Sequence, residues 1–515
     1  MKLRKSGRTA PAAPLGNATP SPDAGGESLG GGAGALVLGR LVVAALGWAG
    51  TVLIVRRLTP SDWGGFSLIF GLLGIVGVLG ELRISRLVVR ELISCRDPGT
   101  VMRPFITLRL FLGLGAYAIG VTVVLLGGFP RDVIVGTLVA GLALLIASVG
   151  TAIDLFLTSR MWMRPIAVAS VLGQLMQFLA TVALFVGNAD TIVAFAVPAV
   201  LFEVVAVAWR VRIVRGMFLL RPAVDLRRWW SWLRESVPLA LGVALTIVYL
   251  QIDLLMVGKM DSLAAAGQYA IGYKFAGLVR YVPDAVGAAV LSAMTRSWPE
   301  DAAGFRLAFR QGMMLLTLAA CLIAAEFLLF AEPAIVLLYG ERYSEAYLAT
   351  QGLILGEILA FYSSMCFATL VSVRRNAAYP VAALVGVVIN VGLNLVFIPR
   401  WSYNGAALAT VITQAVVLLI MARAASRVPG LGPLPGTAMF KALLAGAGAV
   451  AAGAALRPWA PWPVAAVVAV VAYTALLQLL RVNGREGLRS LFARPEAHVP
   501  TQAPSTTDSG MPLLP

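Results

Sequence analysis

The chain is a succession of long apolar segments separated by short polar turns. A helix needs roughly 20 apolar residues to cross a membrane, and fourteen segments of about this length lie between residues 33 and 482. We place them at 33–55, 64–86, 105–127, 133–157, 166–187, 191–212, 237–258, 267–293, 310–330, 348–372, 377–398, 405–424, 439–456 and 463–482. The pattern predicts an all-α, polytopic membrane protein with about 14 transmembrane helices.

The lysine and arginine residues are distributed unevenly over the predicted loops. Thirty of the 41 lie in the two tails, in the loops that follow the even-numbered segments, or at the segment ends that adjoin them. Such an excess is typical of cytoplasmic loops. We therefore predict a multi-pass protein of the cytoplasmic membrane with both termini in the cytoplasm. This topology also accounts for the formal charge of +16, and because no basic segment exceeds a loop or tail we expect no nucleic-acid partner.

The composition agrees with burial in lipid. The chain is 59% hydrophobic and 13% charged, whereas a soluble domain has about 25% charged residues. Three scattered cysteines and one histidine argue against a disulfide framework, a metal cluster or histidine-based catalysis. We predict no metal and no cofactor. The Gly-, Pro- and Ser-rich ends, 1–32 and 483–515, are predicted to be disordered cytoplasmic tails.

A weak internal repeat divides the segments into two lobes. Segments 2 and 8 both begin with glycine, any residue and an aromatic residue, at Gly64–Phe66 and at Gly267–Tyr269. We predict an N-lobe of six helices at 33–212, a C-lobe of six at 237–424 and two further helices within 425–482. In transporters with such parallel repeats the substrate path runs between the lobes.

The connection between the lobes, residues 213–236, is the longest predicted cytoplasmic loop. It interleaves tryptophan with arginine, at Trp229, Trp230, Trp232, Arg227, Arg228 and Arg234. The mixture predicts either a short helix lying in the inner headgroup region or an aromatic belt that precedes segment 7.

Three motifs resemble those of bacterial polysaccharide flippases. The run Leu-Thr-Pro-Ser-Asp-Trp-Gly-Gly-Phe, which starts at Leu58, resembles the family's L-x-P-x-D-Y-G-x-Y opening, with Trp63 where Tyr or Phe is usual. Asp253, followed by Gly-Gln-Tyr-Ala at 267–270, resembles the opening of the second lobe. The stretch from Asn390 to Thr410 resembles the N-x3-N-x4-P…G-A-A-x-A-T element that links spans 11 and 12.

Together the motifs identify residues 36–482 as similar to the polysaccharide (O-antigen or lipid-linked oligosaccharide) flippase branch of the multidrug/oligosaccharidyl-lipid/polysaccharide exporter superfamily. The resemblance implies a V-shaped bundle of two lobes that alternates between inward- and outward-open states. It also implies transport of polyprenyl-diphosphate-linked glycans, and we predict no enzymatic activity. The implied partners are this lipid-linked glycan, membrane lipids and the polysaccharide polymerase or export machinery.

Four basic residues in or beside the predicted helices are candidates for binding the diphosphate or lining a cavity. Charged side chains in a membrane are costly and usually face the protein interior or water, and the candidates are Arg40, Arg86, Lys274 and Arg280. Arginine keeps its charge and matches phosphate with a planar fork. For Lys274 the alternative is an ion pair with Asp253, and for Arg280 it is pairing with Asp284 or Glu326. Arg40 could instead extend to the inner interface, and Arg86 could serve as a topology anchor.

Acidic and amide side chains within the helices are the remaining candidates. Transport coupled to H⁺ or Na⁺ needs an acid that changes charge or coordinates the ion, and Asp253, Asp154 and Glu357 are candidates for it. The last two occupy corresponding spans of the two lobes. The amides Asn390, Asn394, Gln174 and Gln177 are predicted to form hydrogen bonds between helices.

Other functions fit the sequence less well. A peptidoglycan lipid-precursor flippase stays open, because it shares the superfamily and the fourteen spans. A cation-coupled multidrug antiporter typically has twelve spans and would need an acidic cavity. A glycan polymerase or glycosyltransferase usually has a large outer loop, whereas the longest one here is 331–347. A scaffold without transport activity would need longer tails than these.

Overall fold

A computed structural model describes residues 29–81, 84–95, 97–217, 221–375, 377–432 and 434–482, and the predicted tails lie almost entirely outside these ranges. In this part the chain is organised as α-helices with one short 3₁₀ helix at Glu341–Ala346. The α-helices are α1 (Leu29–Arg57), α2 (Pro60–Glu81), α3 (Ser85–Ser94), α4 (Gly99–Leu126), α5 (Arg131–Ser159), α6 (Met163–Val186), α7 (Ile192–Val214), α8 (Leu226–Met260), α9 (Leu263–Val279), α10 (Tyr281–Ser297), α11 (Ala302–Tyr339), α12 (Tyr347–Ser372), α13 (Ala378–Ala425), α14 (Gly436–Leu456) and α15 (Trp462–Leu479).

The helices follow the predicted membrane segments closely. Among the described residues, twelve helical stretches are long and apolar enough to span a membrane. Predicted segments 11 and 12 share α13, whose 48 residues would extend about 72 Å if straight. The chain instead breaks at Ser402, where φ is 54° and ψ is −142°. Gly405 then lies against the carbonyl oxygen of Phe397, so α13 folds back as a hairpin of two crossings.

The connection between the lobes forms the start of a long helix. The tryptophan-rich segment is continuous with predicted segment 7 in α8. The Trp229 indole N–H donates to the Pro104 carbonyl oxygen at 2.9 Å, and the Trp232 indole N–H donates to a Glu91 carboxylate oxygen at 2.8 Å. These bonds attach the first turns of α8 to α3 and α4 of the N-lobe, so the linker also joins the lobes mechanically.

Predicted segment 8 consists of two helices, α9 and α10, that meet at Arg280. Pro283 stands in the first turn of α10 and has no N–H to donate, so it interrupts the helical hydrogen bonds at this point. Proline is a common cause of such a kink. The kink places Arg280 beside α12, whereas the sequence predicts pairing with Asp284 or Glu326.

The last two helices pack on the outside of the C-lobe. Gly446 of α14 lies against Cys321 of α11, and Gly453 lies against Leu329. Ala442, Ala445 and Ala449 of α14 are fully buried. Small residues at such contacts let helices approach closely within a membrane.

The two lobes touch most closely where α2 and α9 begin, on the side predicted to be extracellular. A Cβ atom on Gly64 would lie 1.7 Å from the Leu263 carbonyl oxygen, and one on Gly267 would lie 2.0 Å from the Pro60 carbonyl oxygen. These are the two glycines that open the repeated motif. Glycine at both positions therefore allows the equivalent helices of the two lobes to meet backbone against backbone.

Polar contacts strengthen this outer closure. The Arg342 guanidinium and the Tyr343 hydroxyl both donate to the Leu58 carbonyl oxygen at 3.2 Å. Across the same boundary, Arg56 donates to the Leu338 carbonyl oxygen at 2.8 Å. Trp63, which follows Leu58 in the first motif, is only 1% exposed and belongs to the main C-lobe core. The lobes are thus joined at their outer ends by backbone contact, hydrogen bonds and a buried indole.

Replacing Gly64 or Gly267 by alanine should force the outer ends of the lobes apart, because no side-chain movement can relieve a clash with a carbonyl oxygen. We expect a cysteine at Ser67, below the contact, to react about tenfold faster with an external membrane-impermeant thiol reagent, as for a 1.4 kcal/mol shift toward the open state. The measurement uses a background with the three native cysteines replaced.

Gly74→Ala and Gly277→Ala are matched controls on the same two helices, because no atom lies within 4 Å of a Cβ built at either position. If Gly64→Ala and Gly267→Ala react no faster than these controls, the glycine contact does not hold the outer side closed.

Candidate functional site

A central cavity of about 350 Å³ lies between the lobes, below the Gly64–Gly267 contact. Helices α1, α2 and α6 of the N-lobe and α8 and α9 of the C-lobe contribute to its wall. The lining residues are Gly47, Gly50, Thr51, Ile54, Trp63, Phe66, Ser67, Phe70, Gly71, Gln174, Gln177, Phe178, Thr181, Gln251, Leu254, Ala270, Tyr273 and Lys274. The cavity therefore lies where the repeat predicts the substrate path.

Lys274 supplies the positive charge of this cavity. Its ammonium nitrogen lies 5.4 Å from the centroid of the Trp63 ring, a distance suited to a cation–π contact. The predicted alternative, an ion pair with Asp253, is wrong: Lys274 forms no ion pair with any residue that the structure describes. Its charge is therefore available to an anionic ligand in the cavity.

Amide and aromatic side chains surround Lys274. Gln174, Gln177 and Gln251 present both donors and acceptors, and Trp63, Phe66, Phe70 and Phe178 present rings. Gln174 and Gln177 therefore face the cavity, in addition to any role in helix contacts. Sugar rings combine hydroxyl groups with apolar C–H faces, so amides beside aromatic rings complement a glycan chemically.

Asp253 lies beside the central cavity but points into the C-lobe. Asp253 is 1% exposed, and its carboxylate accepts hydrogen bonds from the hydroxyls of Tyr269 at 2.7 Å, Tyr273 at 2.6 Å and Thr410 at 3.1 Å. Tyr273 and Lys274 are consecutive on α9 and point about 100° apart around the helix. This is why Tyr273, and not Lys274, reaches Asp253.

Arg280 forms a bidentate ion pair with Glu357 of α12. Arg280 Nε donates to Glu357 Oε2 at 3.3 Å, and Arg280 Nη2 donates to Glu357 Oε1. The expected alternative partners, Asp284 and Glu326, do not form this pair, because the kink before Pro283 directs Arg280 toward α12. The Arg280 side chain is 36% exposed and that of Glu357 is 8% exposed. Arg280 is thus neutralised within the C-lobe and is not a free phosphate ligand in this conformation.

The N-lobe contains a similar pair of its own. Arg210 of α7 donates from Nε to Asp154 Oδ1 of α5 at 2.7 Å, and Glu203 lies near enough to interact with both charges. Asp154 lies near the inner end of α5, whereas Glu357 lies about 15 Å from the outer end of α12. The two acids therefore share corresponding helices but differ in depth.

Of the remaining candidate residues, Asn390, Asn394 and Arg40 lie away from the central cavity. Asn394 donates from Nδ2 to Asn390 Oδ1 at 3.0 Å within α13, and both side chains are fully buried. This hydrogen bond joins two residues of the same helix, whereas the sequence predicts hydrogen bonds between helices. Arg40 is exposed on α1 and does not line the cavity. The side chain of Arg86 lies outside the described part.

Several residues that build the site are missing from the sequence-based candidates. Tyr269 and Thr410 belong to the second-lobe motifs, and the hydroxyl of each donates a hydrogen bond to the Asp253 carboxylate. Gln251 is a neutral polar residue in an apolar segment. Gln174 and Gln177 are candidates for the same reason, so the sequence could have indicated Gln251 as well. Trp63 differs from the Tyr or Phe that is usual at its position in the family motif, and this difference could have marked it. The motifs thus contained the signal, but only tertiary contacts reveal what these side chains face.

Comparison with known proteins agrees with this architecture. The sequence profile of a family described as "Polysaccharide biosynthesis protein" matches residues 53–348, more than half of the chain. The chain belongs to this family. No curated protein matches it in a sequence comparison.

Solved structures of transporters share its fold. "Lipid II flippase MurJ, inward closed conformation" superposes with a TM-score of 0.71 at 12% identity, covering 86% of this chain and 98% of that chain. An inward-facing multidrug resistance MATE family transporter of the MOP superfamily gives 0.65 at 15% identity, covering 76% and 95%. An outward-facing MATE family transporter gives 0.54 at 15% identity, covering 79% and 97%.

The comparisons confirm three of the predictions. The chain is an all-helical, multi-pass membrane protein, it belongs to a polysaccharide biosynthesis family, and it has the fold of flippases and exporters. Family and fold together support the predicted function, transport of a lipid-linked glycan. The solved structures reported above are a flippase and transporters.

Glu357→Ala should destabilise the C-lobe, because it leaves the Arg280 charge without its partner. Removing one member of a fully buried pair costs about 3 kcal/mol or more. Because Arg280 is 36% exposed, we expect a smaller loss here, and the apparent melting temperature in detergent should fall accordingly. The double variant Arg280→Met/Glu357→Leu should recover most of the loss. Glu341→Ala, on an exposed outer residue, is the control. A double variant no more stable than Glu357→Ala would show that the pair is not the cause.

Proposed function

We propose that the protein is an alternating-access flippase that moves polyprenyl-diphosphate-linked oligosaccharide or polysaccharide repeat units across the cytoplasmic membrane. The glycan headgroup crosses between the lobes, while the prenyl tail stays in lipid. A polar headgroup cannot cross about 30 Å of hydrocarbon without a polar path. The observation that carries the proposal is the central cavity, in which an unpaired lysine stands among glutamine and aromatic side chains.

The charge of the cavity favours an anionic substrate. Lys274 offers an ammonium group to the diphosphate, and Gln174, Gln177 and Gln251 offer hydrogen bonds to sugars. Two acids of the C-lobe interior, Asp253 and Glu357, are occupied by hydroxyl groups and by Arg280. A multidrug antiporter for cationic compounds would require an acidic cavity, so this arrangement favours a glycan diphosphate over a cationic drug.

Asp253 is the residue to which we assign coupling to an H⁺ or Na⁺ gradient. It is a buried carboxylate held by neutral hydroxyl donors, so adding or removing a cation changes the net charge of its surroundings. Asp154 and Glu357 are each paired with an arginine, which already balances their charge. Tyr273 joins Asp253 to the central cavity, because its hydroxyl binds the carboxylate while its side chain lines the cavity.

Lys274→Gln should lower the rate of glycan flipping by about a hundredfold, because it removes the cation that compensates the diphosphate, a loss of about 2.7 kcal/mol. Lys274→Arg should keep most of the activity. The measurement is flipping of a fluorescent polyprenyl-diphosphate-linked oligosaccharide by purified protein in liposomes. A peptidoglycan lipid precursor, tested in parallel, distinguishes the two flippase functions.

Lys259→Gln is the matched control, since Lys259 lies in the same α8–α9 hairpin but is exposed at its outer end. Equal rates for Lys274→Gln and Lys259→Gln would contradict a diphosphate site at Lys274. A wild-type protein that moves neither lipid-linked glycan would contradict the flippase proposal itself.

Asp253→Asn should abolish the acceleration of flipping by a cation gradient and leave substrate binding intact, because the amide keeps hydrogen-bonding atoms but carries no charge. The measurement compares the flipping rate with and without an imposed pH or Na⁺ gradient. Asp261→Asn, at the exposed end of the same helix, is the control. A variant that still responds to the gradient as the wild type does would exclude Asp253 as the coupling residue.

A further inference from the structure

The space around Asp253 continues toward the cytoplasmic side of the C-lobe. A small acid pocket of about 20 Å³ is lined by Asp253, Tyr273, Ala276, Arg280, Leu353, Gly356, Glu357, Thr410 and Gln414. This volume holds roughly one water molecule. Gln414, at 6% exposure, stands at the inner end of the pocket, one turn below Thr410 on α13.

Gln414 also lines a second, larger inner cavity between α12 and α13. This inner cavity has a volume of about 220 Å³, and six of its ten lining residues are apolar. Its polar groups besides Gln414 are Ser363, Ser364 and Tyr379. One glutamine therefore belongs to the walls of both spaces.

The two spaces are stacked along the membrane normal. On α12, Ser363 lies about 9 Å further toward the inner end than Glu357. Tyr379 lies at the inner start of α13, where its ring and that of Phe367 are 4.6 Å apart between centroids. Polar groups thus extend from Asp253, through Gln414 and the serines, to the inner end of the C-lobe.

The serine hydroxyls leave acceptor capacity in the inner cavity. Ser364 donates to the Phe361 carbonyl oxygen at 2.7 Å, and Ser363 donates to the Leu359 carbonyl oxygen at 3.4 Å. Each hydroxyl oxygen keeps lone pairs that accept from water or coordinate a cation. The side-chain amide of Gln414 adds an acceptor oxygen at the junction.

The charges that face the acid pocket do not oppose a cation there. Arg280 would repel one, but its bidentate pair with Glu357 neutralises it. Lys274 contacts Trp63 in the central cavity and does not line the acid pocket. Asp253 is therefore the unbalanced charge among the residues that line the pocket, and its negative sign favours a cation.

We propose that the coupling cation travels between Asp253 and the cytoplasm through the interior of the C-lobe, by way of Gln414, Ser363 and Ser364, while the glycan uses the central cavity. Tyr273 separates the two routes, since it lines the central cavity and the acid pocket. This inference rests on the proposed coupling role of Asp253. The cation and the glycan would then follow separate paths, with Tyr273 in the wall between them.

Gln414→Leu should block the cation route, because it replaces the amide at the junction with an apolar side chain. We expect gradient-driven flipping and the accompanying cation flux to fall at least about tenfold, a barrier increase of 1.4 kcal/mol. The Kd for the fluorescent polyprenyl-diphosphate-linked oligosaccharide should stay unchanged. Ser363→Ala/Ser364→Ala, which adds no volume, should reduce the same flux.

Thr413→Val is the matched control, because Thr413 is fully buried beside Gln414, bonds its own helix at Ala409 and lines neither space. Liposomes receive a pH gradient without Na⁺, or a Na⁺ gradient at equal pH, which identifies the cation. Melting temperatures are compared so that only folded variants are scored, and Ser363→Ala/Ser364→Ala replaces Gln414→Leu if the latter unfolds.

The outcomes separate the route from the function. Gradient-driven flux in Gln414→Leu equal to that in Thr413→Val would overturn the route while leaving the flippase proposal intact. Loss of glycan binding in Gln414→Leu would also overturn it, because the residue would then serve the central cavity. Wild-type flipping that ignores both gradients would overturn the coupling role of Asp253 and the route with it.

Discussion

The backbone contact between α2 and α9 is the constraint on which the rest of the structure depends. Gly64 and Gly267 bring the equivalent helices of the two lobes within van der Waals distance at their outer ends. The contact buries Trp63 in the C-lobe core and places its ring near Lys274. The central cavity begins directly below, so the same glycines that close one side of the protein define the top of the substrate site.

Consecutive residues on α9 serve two different compartments. Lys274 faces the cavity between the lobes, and the Tyr273 hydroxyl bonds to Asp253 inside the C-lobe. A helix rotates about 100° per residue, which makes this division possible within a single turn. Any change in the Asp253–Tyr273 bond is therefore transmitted directly to the cavity wall, a short physical link between a charge in one lobe and the space between both.

Two intramembrane carboxylates are balanced by an arginine within their own lobe. Asp154 pairs with Arg210 in the N-lobe, and Glu357 pairs with Arg280 in the C-lobe. An isolated charge in hydrocarbon is expensive, and such pairs reduce the cost. Lys274 contacts the Trp63 ring, whereas Arg210 and Arg280 each contact a carboxylate. A cation kept without a counter-ion beside a cavity is suited to a ligand that brings its own negative charge.

The sequence by itself determined the helical membrane fold, the two-lobed repeat and the family. The length of the apolar segments, the charge of the loops and the turn motifs are all local properties of the chain. It also indicated Lys274, Asp253 and Arg280, since any charge within an apolar segment is conspicuous. Only the tertiary structure decided which of them meet. Asp253 and Lys274 share a depth but point into different spaces, and the kink at Pro283 directs Arg280 to Glu357. Side-chain direction and helix bending depend on contacts between distant segments, which no local pattern specifies.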